Sequence, residues 1–305
     1  MASKEKWGFI VNPVAGNGYA GKHAEDVARM IKKYGIDGEI VLTERMGHAT
    51  DLAAKFVAEG YKYIVPVGGD GTINEAAQAV IGHEDITFGA VSMGTGNDFI
   101  QIPGFSDHFT EKDWEIFFQQ NTIQMDVGKC NDHYFLNGMG LGFDAEVASQ
   151  NFDENGMKKG GEDKYLWHIL KTLFTFRERP VNVQNNGQMK RESCFISTIS
   201  IGRRFAGGYF LTPRAIANDG LLDVCTIQDL YFLQRFRIFL MVPKGTHLNH
   251  KRVQYYQTDH IHFEFDQKVP HHIDGEIFFS AKYDISVLPG KLKIIYNPKG
   301  NHYFF

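Results

Sequence analysis

The fold of this chain is decided by the stretch YIVPVGGDGTINEAAQAV, residues 63–80. It begins with the apolar run Tyr63–Val67, which has the length and composition of a buried strand. A glycine-rich turn follows, and apolar side chains then recur at helical spacing at Ile73, Ala76, Ala77 and Val80. That stripe ends before Gly82, and glycine is common just past a helix because it tolerates the left-handed conformation. The stretch predicts a strand, a loop and a helix in succession.

The same succession recurs through the first 100 residues. Short apolar runs predict strands at Trp7–Val11, Glu39–Leu42, Tyr63–Val67 and Phe88–Val91. Two more helical stripes lie between them: Ala24–Tyr34 stops at Gly35, and Leu52–Val57 stops at Gly60. Repeats of strand and helix at this length are typical of a parallel sheet covered by helices.

After about residue 125 the rhythm changes to short strands bounded by Gly, Asp and Pro. The predicted strands are His133–Asn137, Phe195–Ile201, Leu221–Ile227, Ile261–Phe265, Ile277–Ser280, Tyr283–Val287 and Lys291–Tyr296. Helical patterns remain mainly at Lys164–Arg177 and Tyr231–Val242, and Asn185-Asn186-Gly187 predicts a hairpin turn. We therefore expect an α/β plus mostly β protein: residues 1–125 form a parallel α/β domain and residues 126–305 an antiparallel β-sandwich domain.

Composition excludes several classes of protein. With 305 residues, 43% hydrophobic and 22% charged, the chain is neither disordered nor collagen-like. Three separated cysteines make neither a disulfide framework nor a zinc motif, and a net charge of −4 gives no reason to expect a nucleic-acid partner. No leader-like or membrane-spanning run is present in the sequence, so we expect a cytoplasmic protein. The 25 phenylalanines can fill a core or form an apolar surface.

Three glycine-rich turns follow predicted strands of the first domain. They are Asn12–Gly18, Gly68–Thr72 and Met93–Asp98. In an open α/β sheet, ligands bind beyond the carboxyl ends of the strands. Glycines let backbone N–H groups approach an anion, and the helix that follows adds its positive end. The turns therefore predict a phosphate site, and the lack of a Walker A or GxGxxG pattern excludes P-loop and Rossmann dinucleotide-binding proteins.

Two of these turns contain a carboxylate, Asp70 in the second and Asp98 in the third. An acid inside a phosphate site repels the phosphate unless a cation lies between them. Magnesium prefers oxygen ligands and commonly joins carboxylates to nucleotide phosphates, so the pair favours a magnesium nucleotide over a free phosphate ester. The alternative is that either aspartate caps the helix or turn that follows it.

Gly68–Thr72 followed by Ile73-Asn74-Glu75 resembles the nucleotide motif of the diacylglycerol kinase catalytic superfamily. This superfamily includes bacterial lipid kinases and sphingosine kinases and, more distantly, NAD kinases and 6-phosphofructokinases. Five further stretches resemble its lipid-kinase branch in the same order along the chain: Val11–Gly16, Met93–Phe99, Met125–Gly128, Asp219–Asp223 and Ile273–Glu276. The resemblance covers essentially the whole chain.

The resemblance implies a two-domain fold with the active site in the cleft between the domains. It also implies transfer of the γ-phosphoryl group of ATP to the hydroxyl group of a lipid. On the same basis, the nucleotide is expected to contact Asn12, Gly16, Thr43, Gly68, Gly69, Gly71, Thr72, Glu75, Gly94 and Thr95.

Two sets of magnesium ligands follow from the resemblance. Asp70, Asp98 and Asp126 are expected to hold Mg²⁺, largely through water, and Asp70 also counts as a catalytic residue. Asp219 and the carbonyl of Leu221 match a second, structural magnesium site. The three residues before Asp219 lack the additional acid that could complete that second site.

The resemblance also implies that Glu276 is the general base, with Asp274 close by. The chemistry is physically sound, because an alcohol must lose its proton as it attacks phosphorus, and a carboxylate within hydrogen-bond reach can accept it. Gly275 between the two acids would let them move into a cleft. Local sequence alone favours a tight turn between two strands, and it is the resemblance that favours the catalytic role.

Diacylglycerol is the expected acceptor, giving phosphatidic acid, because glycerolipid kinases tend to begin the motif with the Gly68-Gly69 pair. Sphingoid bases and ceramide stay open as acceptors, and an NAD kinase-like enzyme and a catalytically silent nucleotide-binding regulator are the rivals. A lipid substrate implies transient contact with the inner face of a membrane, and a homodimer stays open. The candidate membrane elements are Lys164–Arg179 and Tyr231–Val242, whose aromatic and basic patterns would equally suit helices packed on the second domain.

Overall fold

The computed structural model describes residues 5–150 and 171–305 of the chain. The chain divides into two compact units. The first unit comprises Met1–Val127, Ile216–Asp219 and Leu288–Phe305, and the second comprises Gly128–Ala215 and Gly220–Val287. The single boundary expected near residue 125 does not account for the two short later segments that return to the first unit.

The sheet of the first unit is parallel. Its strands are β1 (Trp7–Val11), β2 (Gly38–Leu42), β3 (Tyr63–Gly68), β4 (Thr87–Phe88) and β5 (Val91–Ser92). They run in the order β2-β1-β3-β4, with β5 also beside β3. The predicted parallel α/β arrangement is confirmed, and the run predicted at Phe88–Val91 is two short strands.

Among the described residues of the first unit, three helices lie where the apolar stripes place them, and the two that begin at Ala15 and Glu111 were not predicted. The helices are α1 (Ala15–Lys22), α2 (Ala24–Lys33), α3 (His48–Ala58), α4 (Asp70–Gln78) and α5 (Glu111–Phe117), with a 3₁₀ turn at Phe99–Gln101. The backbone after α2 and α3 turns left-handed at Gly35 and Gly60, as predicted. α4 begins earlier than its stripe suggests, so Asp70, Gly71 and Thr72 form its first turn.

Aromatic side chains form much of the core of the first unit. Phe9, Phe56, Phe88 and Phe117 are fully buried, and Trp7 stacks on Tyr63 with ring centroids 3.9 Å apart. Burying aromatic rings of this size supplies a large part of the stability of a small domain. Part of the phenylalanine content is therefore core.

The second unit is built from antiparallel strands. They are β7 (His133–Phe135), β8 (Gly138–Gly142), β9 (Arg179–Asn185), β10 (Gln188–Ser200), β11 (Leu222–Gln228), β12 (Val253–Thr258) and β13 (His260–Ile273), joined by parts of β6 (Thr122–Cys130) and β14 (Glu276–Ile295). The strand order is β12-β11-β10-β8-β13-β14, and β9 pairs with β10 and β13. The predicted hairpin is confirmed at Asn186 and Gly187, which both have the positive φ of a two-residue turn.

Two predictions about these strands need correction. The three strands expected within residues 277–296 are one continuous strand, β14, which also reaches the first unit and pairs there with β4 through Ile294. The strand β8 was not predicted, because its sequence, GMGLG, has no β-branched or aromatic residue. Its neighbours β10 and β13 pair with it on both sides and so stabilise it.

Helices of the second unit are α6 (Phe143–Ser149) and α7 (Phe232–Met241), with short 3₁₀ turns at Val242–Lys244 and Thr246–Asn249. Residues 171–175 are also helical, whereas the first part of the helix predicted from Lys164 lies outside the described residues. α7 confirms the helix predicted at Tyr231–Val242. Within 5–150 and 171–305, no helix is both long and apolar enough to cross a bilayer.

Candidate active site

The three glycine loops meet in the first unit. A Cβ atom at Gly94 would overlap the backbone of Gly69, and a Cβ atom at Gly16 would overlap the carbonyl oxygen of Met93. The third loop therefore touches both others backbone to backbone, which only glycine permits at these points. The side chain of Asn12 completes the set, because its Nδ2 donates to Oγ1 of Thr72 over 2.8 Å.

The first loop has an unusual backbone conformation. Gly16, Asn17 and Gly18 follow one another with φ of 59°, 55° and 85°. Three consecutive left-handed residues are uncommon, and they interrupt the helical backbone at the start of α1. The N–H of Gly18 donates to the carbonyl of Val14 at 3.1 Å, so any anion would have to be bound by other N–H groups of the loop. Glycine and asparagine are the residue types that best tolerate this conformation.

The second loop leads directly into α4. Gly69 is extended and Asp70 is the first helical residue, so the N–H groups of the first turn lie at the positive end of the helix. Glu75 ties α4 to α3, because its Oε2 accepts from the N–H of Ala49. Thr43 is buried just after β2. Thr43, Gly69 and Glu75 are three of the residues expected to contact a nucleotide.

The carboxylates of Asp70 and Asp98 lie on the same loop surface. Oδ1 and Oδ2 of Asp70 accept from the N–H groups of Phe99 and Asp98, at 2.9 and 3.2 Å. A Cβ atom at Gly96 would stand 3.3 Å from Oδ2 of Asp70 and 3.8 Å from Oδ2 of Asp98. Asp70 thus binds the turn after the third loop rather than capping α4, the helix that follows it, and it also lies near Asp98.

This pair fits a magnesium ion. Mg²⁺ commonly takes one or two carboxylates, retains several waters and completes its shell with phosphate oxygens. Asp70 and Asp98 supply two carboxylates beside a helix N-terminus and a glycine loop, which is the donor set such an ion requires. Among the residues that the structure describes, no cluster of three or more His, Cys, Asp or Glu side chains forms a metal cage.

The other expected magnesium ligands have separate surroundings. Asp126 is buried, its Oδ1 accepts from the N–H of Gly290 at 2.7 Å, and its own N–H donates to the carbonyl of Ala217. It therefore joins three segments of the first unit. Asp219 lies in one of these segments, and Leu221 belongs to the second unit. The contact with Gly290 could not be expected from sequence, because nothing in the pattern relates two residues so far apart.

The acid-glycine-acid segment of the second unit is a tight turn. Asp274 and Gly275 have φ of 45° and 92°, and Ile273 pairs with Glu276 across them. The carboxylate of Asp274 accepts from three consecutive N–H groups, those of Leu136, Asn137 and Gly138, at 2.7, 3.1 and 2.8 Å.

These three bonds fix the Asp274 side chain, contrary to the expectation of an acid pair that moves into a cleft. Three N–H donors on one carboxylate make a firm attachment. Glu276 is exposed at the start of β14, whereas Asp274 is half-buried. Asp274 acts on the position of the turn.

Sequence reasoning missed a pair of side chains next to this turn. Nε2 of His272 lies 3.1 Å from Oδ2 of Asp144, and both side chains are largely buried. Gly140 faces them, because a Cβ atom there would overlap both groups. Nothing in the sequence relates residues 144 and 272. The neighbouring His271 is buried. Its burial, and to a lesser degree the charges of His272 and His133, lower its pKa to about 4.

Comparison with known families agrees with these features. The family model of the diacylglycerol kinase catalytic domain matches residues 6–130, and that of the YegS C-terminal NAD kinase beta sandwich-like domain matches residues 137–296. The chain belongs to the diacylglycerol kinase catalytic-domain family. Membership confirms the resemblance inferred from the glycine motif, and it confirms the two-domain fold class.

Individual members of the family resemble the chain along nearly its whole length. The diacylglycerol kinase of Staphylococcus carnosus is 23% identical over 298 residues, covering 95% of this chain and 94% of that protein. The diacylglycerol kinase of Mycobacterium tuberculosis is 26% identical over 294 residues, covering 94% and 93%. A crystal structure of a diacylglycerol kinase from Bacillus anthracis superposes with a TM-score of 0.79 at 25% identity, covering 98% and 99%.

The family assigns the reaction class. The chain is a phosphotransferase with an alcohol group as acceptor, and it is an ATP-dependent kinase of the lipid kinase type. ATP is the co-substrate and a lipid is the substrate. These statements match the phosphate site predicted from the loops.

Proposed function

We propose that this chain phosphorylates diacylglycerol to phosphatidic acid with magnesium ATP. The observation that carries the proposal is the meeting of three glycine loops at the N-terminus of α4, with Asp70 and Asp98 beside Gly96. Such a surface offers N–H groups to phosphate and carboxylates to a cation. The relatives from Staphylococcus carnosus and Mycobacterium tuberculosis are named diacylglycerol kinases, which supports the glycerolipid as acceptor.

The nucleotide is proposed to bind on these loops. Backbone N–H groups of the first loop and of the start of α4 would hold its phosphates, and Asn12 and Thr72 would keep the first two loops together. Asp70 and Asp98 would hold magnesium, with Asp126 as the third proposed carboxylate. When bound, the ion offsets negative charge on the phosphoryl group that is transferred.

Glu276 is the proposed general base. Its carboxylate accepts the proton of the lipid hydroxyl as the hydroxyl oxygen forms a bond to the γ-phosphorus and the bond between that phosphorus and ADP breaks. Asp274 is a positioning residue, because its three backbone contacts fix the turn from which Glu276 extends. A structural magnesium site at Asp219 and Leu221 stays a prediction.

A substrate comparison tests the proposal. Purified protein is supplied with radiolabelled ATP, magnesium and one acceptor at a time: diacylglycerol, sphingosine or ceramide in mixed micelles, or NAD in solution. We expect labelled phosphatidic acid as the main product. Labelled sphingosine or ceramide phosphate in its place would reassign the acceptor, and phosphorylated NAD without labelled lipid would reject the proposal.

A further assay concerns the natural lipid. Incubation with extracted lipids and radiolabelled ATP should label the preferred acceptor in competition with others. Removal of magnesium by a chelator should abolish labelling, and added magnesium should restore it. No labelling of any lipid with intact nucleotide binding would favour a regulator. We also propose that the protein is cytoplasmic and works at the inner face of the membrane.

A further inference from the structure

A group of exposed apolar side chains lies on the second unit. Its members, called here the apolar face, are Phe174, Tyr231, Phe232, Leu233, Phe236 and Leu240. Leu233 and Tyr231 are 79% and 78% exposed, and Phe174 is 67% exposed. Four of these side chains come from α7 itself, where residues 233, 236 and 240 follow the spacing of one helical stripe. A contiguous exposed set of this kind marks an interaction surface.

The apolar face is held rigidly by a buried arginine. Nη1 of Arg235 donates to the carbonyls of Leu173 and Phe176, at 2.9 and 3.0 Å, and Nη2 donates to Oε1 of Glu178 at 2.6 Å. The guanidinium also lies 5.0 Å from the ring centroid of Phe195. Since this charge is buried and its donors are bound, rotating α7 to hide its outer face would break several strong bonds.

The same bonds join two separate segments into one surface. Arg235 holds residues 173–178 against α7, and the ring centroids of Phe174 and Phe232 lie 4.5 Å apart with an interplanar angle of 27°. Ile238 and Val242 are buried on the inner side of the helix. The core side of α7 is therefore already occupied, and the outward aromatic and leucine side chains are not surplus core.

The surroundings of the apolar face are basic. Residues 231–252 contain no Asp or Glu, although the whole chain has a net charge of −4, and Arg237, Lys244 and Lys251 are exposed there. Two other arginines of this stretch have acidic partners, since Arg235 is bonded to Glu178 and Arg252 lies 3.8 Å from Asp229. Lys171 and Arg177 are exposed on the neighbouring segment. Burial and then the charges of Arg237, Lys251 and Arg252 lower the pKa of His250, which is consistent with a positive potential here.

This combination fits one partner best. A second copy of the chain would bring the same basic residues against each other, which repel. A membrane surface with anionic lipids complements both features, because it accepts apolar side chains below the headgroups and attracts Lys and Arg. α7 has ten residues, so at about 15 Å it is too short to span the hydrocarbon core and would lie in the interface.

We propose that the apolar face docks on the surface of an anionic phospholipid bilayer. Leu233, Phe236 and Leu240 enter the boundary between headgroups and acyl chains, and Arg237 and Lys244 contact the phosphates. This inference rests on the proposed function in one respect: docking would give the enzyme access to a lipid substrate held in a membrane. The docking itself is a binding property that can be measured without turnover.

Vesicle sedimentation tests the docking. The full chain is mixed with vesicles of phosphatidylcholine alone or with phosphatidylglycerol, and the bound fraction is measured. We expect binding to the anionic vesicles that falls with added salt. The double variant Leu233→Ser/Leu240→Ser should bind at least about tenfold more weakly, since each apolar chain adds to interfacial affinity. Arg237→Glu should weaken binding to the anionic vesicles selectively.

Met189→Ser is the matched control, because Met189 is also exposed, at 65%, but lies in the β9–β10 hairpin. It should bind vesicles within about twofold of the unaltered chain, as scattered surface side chains do. Unaltered binding by the double variant, or equal loss in the control, would overturn the proposal.

Light scattering measures the mass of each protein and so tests for a second copy as the partner. If the unaltered chain is a dimer, and the double variant is a monomer that binds vesicles unchanged, the apolar face is an interface between two copies.

A paired activity measurement separates this inference from the proposed function. The double variant should phosphorylate a soluble short-chain diacylglycerol as the unaltered chain does, and should lose activity only on diacylglycerol embedded in anionic vesicles. Equal loss on both substrates would contradict a docking role. If the unaltered chain phosphorylates no lipid but its vesicle binding still depends on Leu233 and Leu240, the proposed function fails while the docking holds.

Discussion

The two units present their candidate site residues in opposite ways. In the first unit, the site is mostly backbone: glycines at positions 16, 69 and 94 let three loops touch, and carboxylates are placed at their edge. In the second unit, the expected base Glu276 lies at the end of a hairpin turn, and its neighbour Asp274 accepts hydrogen bonds from the backbone of another segment. Backbone sites demand glycine and therefore leave a strong sequence pattern, whereas a single carboxylate on a turn leaves a weak one.

Glu276→Gln provides the strongest test of whether the second unit supplies the general base. Loss of a general base should cut turnover by about 10²–10⁴-fold while ATP binding changes only a few-fold. Steady-state kinetics and direct nucleotide titration measure the two quantities. Glu264→Gln is the control, since Glu264 pairs with Lys282 on the same two strands, outside the turn. Normal turnover of the Glu276 variant would remove this residue from the mechanism.

His271 should make folding of the second unit sensitive to acid. Its pKa is lowered from 6.5 to about 4, so between these values the unfolded chain binds a proton that the folded protein does not. Its contribution to stability is present above pH 6.5 and is lost as the pH falls towards 4, by up to about 3 kcal/mol.

Urea unfolding at several pH values measures this effect. His271→Gln should flatten the loss of unfolding free energy between pH 6.5 and 4, whereas His83→Gln, at an exposed site of the first unit, should leave the slope unchanged. An equally steep slope in the His271 variant would assign the acid sensitivity to other groups.

Asp70→Asn tests the cation site of the first unit. Replacing one carboxylate should weaken the apparent affinity for magnesium and for ATP together, by about 10–100-fold, the range seen when groups that support a metal are altered. Calorimetric titration of ATP at several magnesium concentrations measures it without turnover. Asp85→Asn should have no effect, because Asp85 is an exposed partner of Lys62. Loss of ATP binding that is independent of magnesium would contradict the assignment.

Gly94→Ala and Gly71→Ala form a matched pair with the smallest expected effects. The first places a methyl group against Gly69 and should lower the free energy of unfolding by about 1–3 kcal/mol. The second meets no neighbour and lies in the first turn of α4, so it should be neutral or raise stability by less than about 1 kcal/mol. Equal effects in urea unfolding would show that the loops do not need to touch.

Much of the fold follows from periodicity. The strands β1, β2 and β3 and the ends of α2 and α3 lie where the apolar runs and Gly35 and Gly60 predict, because these elements are local and their glycines stop helices. β8 could not be predicted, since its stability comes from two partner strands. The length of β14 could not be predicted either, because it depends on pairing with different strands along its course.

The sequence by itself determined the family, the parallel sheet, the three glycine-rich loops and the carboxylates Asp70 and Asp98 within them, since each depends on residue types at short spacing. Only the tertiary structure decided that Asp274 is held by Leu136–Gly138, that Asp126 binds Gly290, and that Arg235 exposes an apolar face on α7. Those contacts join residues far apart in the chain, and folding alone brings them together. The phenylalanines divide accordingly: those such as Phe9 and Phe88 are core, and Phe174, Phe232 and Phe236 are surface.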